Sequence, residues 1–62
     1  MGCLTKTVRI YSAKTGLVFV TEYNEAGRTE YHVSHTNKKL CLHGWHLDRT
    51  AAIEEAQYWA RY

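Results

Sequence analysis

The segment most restrictive for the fold is residues 48–62, because its apolar residues recur with helical spacing. Apolar side chains at i, i+1, i+4, i+7 and i+8 form the stripe of a half-buried helix. The stripe consists of Ala52, Ile53, Ala56, Trp59 and Ala60. Its small side chains would let a helix lie close to a sheet. A helix of this length is marginal alone in water, so we expect packing on the rest of the chain to hold it.

Polar residues predict the ends and the solvent side of this helix, which we expect to span residues 49–61. Asp48 is the expected N-cap, with Thr50 as an alternative. Leu47 is placed to pack back onto Ala52 as a hydrophobic staple. Glu54 and Glu55 are expected on the solvent face.

Alternating apolar and polar residues upstream predict strands over residues 4–11, 17–23, 28–34 and 39–45. Glycines mark the first two turns, and no proline interrupts a strand. Three to four strands in an antiparallel β-meander, with one C-terminal helix packed on one face, give an α+β fold. The 62 residues suffice for a single small domain, 1–62.

Strand register decides which side chains the helix covers, because a slip of one residue turns every side chain over. A three-residue loop ending at Gly16 would pair Ile10 with Val20. The second turn can be counted in two ways. A bulge at Gly27 would pair Phe19 with Val33. A four-residue loop, 24–27, would instead pair Val20 with Tyr31 and is preferred, because it gathers the β-branched residues beneath the helix.

This register predicts an exposed sheet face that is aromatic and mildly basic. Its candidate binding residues are Arg9, Tyr11, Phe19, Tyr23, Arg28, His32, His43 and Trp45, and Leu17 lies among them. Exposed aromatic patches of this kind usually mark an interaction site. The alternatives are that a minimal domain simply exposes some aromatics, or that two copies form a homodimer through this face.

Metal binding and catalysis are weighed from the histidines and cysteines between residues 32 and 46. His32 and His35 would point to opposite faces of a strand, and His46 would not share a face with Cys41 and His43. Tetrahedral zinc needs convergent ligands, so we predict no metal and no cofactor, with a small zinc-stabilised domain as an alternative. Short strands offer no deep pocket, and we predict that the protein is not an enzyme.

Basic and aromatic residues on the exposed face also suggest direct nucleic-acid binding. Residues 29–57 faintly resemble the three-strand-plus-helix DNA-binding domains of the ethylene-response and integrase-arm type. The matching stretch runs from Leu42-His43-Gly44-Trp45 through Asp48 into the Ala/Glu-rich residues 51–56. It covers under half the chain, contains an insertion after Gly44 and lacks the dense arginines of those sheets. The resemblance implies only that the open sheet face does the binding.

Protein binding is the preferred function. The net charge of +2 suits a protein partner better than bare DNA, and Tyr, Trp and Arg are the usual interface anchors. As a small domain with no deep pocket and one aromatic face, the chain is similar to small phage or mobile-element inhibitors, including anti-CRISPR proteins. We therefore predict an inhibitor that binds a protein or nucleoprotein complex of host nucleic-acid processing or defence. No apolar run would span a membrane and no signal pattern is visible, so a cytoplasmic location is expected.

Overall fold

The computed structural model describes residues 4–37 and 43–62, with the backbone alone described for His43. The elements in chain order are β1 (Leu4–Ala13), β2 (Gly16–Glu25), β3 (Arg28–His35), β4 (His43–His46) and α1 (Arg49–Trp59). The strands form one antiparallel sheet in the order β1-β2-β3-β4, and α1 packs on one side of it. The predicted α+β meander with a C-terminal helix is confirmed. Residues 39–42 of the predicted fourth strand lie outside the described residues.

The β2–β3 hairpin has a two-residue turn, Ala26-Gly27. Both residues have positive φ, 51° and 80°, as the type I′ turn of a tight hairpin requires. Val20 therefore pairs with Val33, so both predicted loop counts for this turn were wrong. The preferred count differed from the structure by two residues, a shift that keeps each side chain on its predicted face.

The β1–β2 hairpin also turns through two residues, Lys14-Thr15, and the predicted three-residue loop was wrong. Ile10 consequently pairs with Phe19, and Tyr11 pairs with Val18. This slip of one residue turns the side chains of β1 over relative to the prediction. Tyr11 is half-buried against the core, whereas Ile10 is 57% exposed on the other face.

A β-bulge between Thr7 and Arg9 shifts the register again, so that Thr7 returns to the face predicted for it. The extra residue of a bulge interrupts the strict alternation of side chains. Val8 thereby packs against the core even though Ile10 does not. Val8 and Ile10 therefore lie on opposite faces of the sheet although they are only two residues apart.

The core lies between the sheet and α1 and is made of small side chains. Its five fully buried members are Val18, Val20, Val33, Ala52 and Ala56. The predicted helix stripe is confirmed for Ala52, Ala56, Trp59 and Ala60. Its other member, Ile53, is half-buried and lies outside this core cluster. The alanines allow the close approach of helix and sheet that their spacing predicted.

The predicted position of the helix N-cap is confirmed, but the predicted capping contacts are not. Asp48 is the N-cap residue in an extended conformation, and its carbonyl oxygen accepts a hydrogen bond from the Ala52 amide at 3.1 Å. Its side chain makes no capping hydrogen bond. Leu47 is 76% exposed, so the predicted staple is absent. At the other end, Thr15 Oγ1 donates to the Tyr62 carbonyl at 2.7 Å, which ties the C-terminus to the first turn.

Candidate binding surface

The side of the sheet opposite α1, here called the open face, follows from the observed register. Its principal members are Ile10, Leu17, Phe19, Thr21, Tyr23, Glu25, Arg28, Glu30, His32, Ser34 and Trp45. Residues that pair across antiparallel strands share a face, and alternate residues along a strand return to it. Within residues 4–37 and 43–62, the one helix lies against the other face.

Five of the predicted binding residues lie on the open face, namely Phe19, Tyr23, Arg28, His32 and Trp45. The backbone of His43 pairs with Ser34, and the predicted role of its side chain lies outside what the structure describes.

Two predicted binding residues are not part of this face. The prediction for Tyr11 is wrong, because the two-residue turn places it opposite buried Val18. The prediction for Arg9 is also wrong, because the same two-residue turn places it opposite buried Val20. Arg9 is exposed, and its guanidinium donates to the Val8 carbonyl at 3.0 Å.

Three aromatic rings on strands β2, β3 and β4 contact one another on the open face. Their centroids are 4.5 Å apart for His32 and Trp45, 5.2 Å for Tyr23 and Trp45, and 6.1 Å for Tyr23 and His32. The arrangement follows from the ladder, since His32 pairs directly with Trp45. Tilted and edge-to-face contacts at these distances are favourable for aromatic rings. Trp45 nevertheless remains 54% exposed, so much of its ring is available to a partner.

Aliphatic side chains extend the apolar surface toward the first hairpin. Ile10 pairs with Phe19, and Leu17 precedes Phe19 on the same face of β2. Ile10 and Leu17 are both exposed to solvent. Thr21 separates Phe19 from Tyr23 along β2, and β3 contributes the aromatic ring of His32 to this face but no aliphatic side chain. The sequence contained this signal, but the wrong loop length in the first hairpin assigned Ile10 to the core.

Charges on the open face are mixed rather than basic. Arg28 lies opposite Glu25, and its Nη2 atom is 3.8 Å from Oε2 of Glu30. With Arg9 removed from the set, the charged members are one arginine and two glutamates. The basic surface predicted from the sequence is therefore not present among the described residues of this face.

A polar cluster beneath the helix was missed by sequence reasoning. The Oε1 atom of Glu55 lies 2.5 Å from Nε2 of His46, and its Oε2 atom accepts a hydrogen bond from the Trp59 indole at 3.2 Å. Gly44 provides the space, because a Cβ atom there would collide with the Glu55 carboxylate. The prediction that Glu55 faces solvent was wrong. Its spacing of four from Trp59 was the available signal.

This cluster holds α1 on the sheet, and its geometry is that of a structural contact. Oε2 of Glu55 accepts the Trp59 indole N–H and Oε1 contacts His46, so both carboxylate oxygens have partners within the cluster. On the same side of the sheet, the Tyr31 hydroxyl donates to Glu22 at 3.2 Å. Burial, and then this hydrogen bond, raises the pKa of the Tyr31 phenol above its usual value.

The predicted facing of the histidines is observed. His32 lies on the open face opposite Trp45, whereas His35 lies opposite Val18 on the helix side. Nδ1 of His35 accepts a hydrogen bond from the Asn37 amide at 2.9 Å. Among residues 4–37 and 43–62, no three His, Cys, Asp or Glu side chains are grouped to hold a metal ion. Cys41 lies outside the described residues, so the expectation of no metal stays a prediction.

The surface of the described part of the chain includes a larger and a smaller cleft. One of about 500 Å³ is lined by Leu4 and residues 24–29, and its ionisable side chains are Glu25 and Arg28. The other, of about 130 Å³, lies on the open face and includes Tyr23 and Trp45. Neither brings together a nucleophile with a hydrogen-bonded base, which is the arrangement that covalent catalysis requires. The expectation that the protein is not an enzyme stays a prediction.

Within the part of the chain that the structure describes, no helix combines the length and apolar character that crossing a bilayer requires. Comparisons with protein-family models, with curated proteins and with solved structures found no match. The resemblance to three-strand-plus-helix DNA-binding domains therefore stays a prediction.

Proposed function

We propose that this chain is a small, non-catalytic protein-binding module that acts through the open face. The observation that supports this most strongly is that apolar and aromatic side chains on the open face reach from β1 to β4. Trp45, Ile10 and Leu17 are all exposed on it, although small soluble domains normally cover such groups. Aromatic side chains and arginine are the usual anchors of protein interfaces.

The charge of the open face favours a protein over a nucleic acid as the partner. Nucleic-acid affinity depends on several Lys or Arg side chains that contact phosphates. Here Arg28 has Glu30 beside it and Glu25 opposite it, and Arg9 lies elsewhere. Direct nucleic-acid binding through this face is thus the second proposal, and the salt dependence of binding separates the two. Affinity for a nucleic acid falls steeply with salt, whereas affinity of an apolar protein interface does not.

The narrower proposal is that the partner is a host complex of nucleic-acid processing or defence, which the module inhibits. It rests on the small size of the domain and on its aromatic face. A small rigid domain that presents one aromatic face suits occlusion of a surface on a larger protein. An inhibition assay on the captured complex tests this proposal separately from binding.

The experiment is affinity capture from cells of the source organism with matched variants. Ile10→Ser with Phe19→Ser removes two paired apolar side chains of the open face. Gln57→Ser alters an exposed position on the helix and is the matched control. We expect wild type and the control to capture the same protein, and the double variant to lose it while its circular dichroism spectrum is retained.

Other outcomes separate the alternatives. Capture of a protein by all three forms alike would contradict the proposal. Retention of nucleic acid that is lost on adding salt would favour the second proposal. A wild-type dimer that becomes a monomer in the double variant, measured by light scattering, would identify the open face as a homodimer interface.

A further inference from the structure

The smaller cleft of the open face has a composition that points to one kind of occupant. It is lined by Tyr23, Glu25, Arg28, Glu30 and Trp45. We propose that this cleft receives a basic side chain of the partner protein, with arginine preferred over lysine. This inference rests on the proposed function, because it names the chemistry that the binding module recognises.

The size of the cleft fits a single side chain. Its volume is about 130 Å³, whereas sites for small molecules usually enclose about 300–1,000 Å³. It is open to solvent at the surface of the sheet, next to the exposed Trp45 ring. An extended side chain that projects from a partner surface can enter such a cleft, while a free metabolite would remain largely uncovered.

The aromatic walls favour a cation. The rings of Tyr23 and Trp45 have centroids 5.2 Å apart and planes inclined by 53°, so they form a wedge rather than a closed stack. A guanidinium over the face of tryptophan or tyrosine is attracted by the ring quadrupole, by about 0.5–1 kcal/mol at exposed sites. Its planar shape stacks on an aromatic face better than a compact ammonium group does, which is the reason for preferring arginine.

The charged walls favour the same occupant. Glu25 and Glu30 contribute two carboxylates and Arg28 contributes one guanidinium, so the cleft carries a net negative charge. Arg28 contacts Glu30 at 3.8 Å, at the outer limit for an ion pair, and its side chain is 72% exposed. A partner cation therefore meets the Glu25 carboxylate and a loosely held Glu30 carboxylate, each able to accept charge-assisted hydrogen bonds.

The test is an NMR titration of ¹⁵N-labelled protein with N-acetylarginine amide and with its uncharged isostere N-acetylcitrulline amide. The chain has two tryptophans, and each gives one indole N–H resonance. We expect saturable shifts of the Trp45 indole and of the Tyr23, Glu25 and Glu30 amides at millimolar arginine amide. The Trp59 indole donates to Glu55 beneath the helix and is the internal control, which should not move.

Matched variants make the result specific. Glu25→Gln with Glu30→Gln preserves shape and removes both negative charges, and we expect affinity for the arginine probe to fall about fivefold or more. Glu54→Gln removes one exposed charge from the helix and should leave affinity unchanged. Equal binding of the citrulline probe, an unmoved Trp45 indole, or undiminished binding by the double variant would each overturn the inference.

The outcome separates this inference from the proposed function. If the arginine probe does not bind while Ile10→Ser with Phe19→Ser still abolishes partner capture, the inference about the cleft fails alone. If the probe binds in the cleft but partner capture does not depend on the open face, the proposed function fails and the cleft remains a cation site.

Discussion

The helix-covered face of the sheet and its open face differ in the size of their side chains. Between α1 and the sheet the fully buried residues are three valines of the strands and two alanines of the helix, and Tyr11 and Tyr31 pack beside them. On the open face lie a tryptophan, a tyrosine, a phenylalanine and an isoleucine, all at least partly accessible to solvent. The tryptophan, phenylalanine and isoleucine of the strands therefore lie on the side away from the core.

This difference indicates how stability and recognition are divided. Burial of apolar area stabilises a fold in proportion to the area removed from water, so a valine and alanine core contributes little. A domain of about 60 residues is marginally stable in any case. The contacts of Trp59 and Glu55 at the margin of the core should therefore carry a large share of the stability. The open face is left to bind a partner.

The largest effect on stability is expected for Trp59→Ala. Trp59 packs against the core and donates to Glu55, so its removal deletes buried area and leaves a carboxylate oxygen without that donor. We expect the free energy of unfolding to fall by about 2–3 kcal/mol, below the usual range for tryptophan because the side chain is only half-buried. Urea denaturation followed by circular dichroism measures it, with exposed Gln57→Ala as the control. An unchanged midpoint would show that Trp59 does not hold the helix.

A smaller loss is expected for Gly44→Ala, because the added methyl group collides with the Glu55 carboxylate. The carboxylate is the mobile end of its side chain and can move aside, so the expected loss is that of its contacts with His46 and Trp59, about 1 kcal/mol. The reason is tested by combining it with Glu55→Ala, which removes the colliding group. The double variant should be about as stable as Glu55→Ala alone. If the losses in free energy of unfolding caused by Gly44→Ala and Glu55→Ala simply add in the double variant, the collision is not the cause. Glu54→Ala in the same background should give no relief.

A pH-dependent change is expected from Tyr31. Its pKa is raised in the folded state above the ordinary tyrosine value of about 10, so the corresponding stability is present below about pH 10 and is lost as the pH rises through the folded pKa. Tyr31→Phe removes the titrating group. Its stability should therefore fall less steeply above about pH 10 than that of wild type in urea denaturation. If the free energy of unfolding falls equally steeply with pH in both proteins, Tyr31 is not the titrating group.

Periodicity predicted the fold because long alternating and helical patterns depend on many residues at once. The helix stripe from Ala52 to Trp59 and the alternation in β2 and β3 survive errors of one or two residues at their ends. The error of two residues in the β2–β3 register was harmless because side chains alternate with a period of two along a strand. Both Val20 and Val33 stayed on the covered face.

The candidate site was only partly predictable, because it depends on the length of one turn. Counting a three-residue loop instead of Lys14-Thr15 exchanged the positions of Ile10 and Tyr11. The bulge after Thr7 has no clear signature in the sequence. The Glu55 cluster was missed because a glutamate in a helix is usually solvated, and its partner His46 is positioned only by the register of β4.

The most direct test of the division between the two faces is the free energy of unfolding of Trp45→Ala, measured by urea denaturation beside Trp59→Ala. The two variants delete the same side chain from opposite faces. Trp45 is 54% exposed and packs against the rings of Tyr23 and His32, so its loss should cost about 1 kcal/mol or less. The account predicts that Trp45→Ala stays close to wild type while Trp59→Ala falls well below it. Equal destabilisation by the two variants would contradict it.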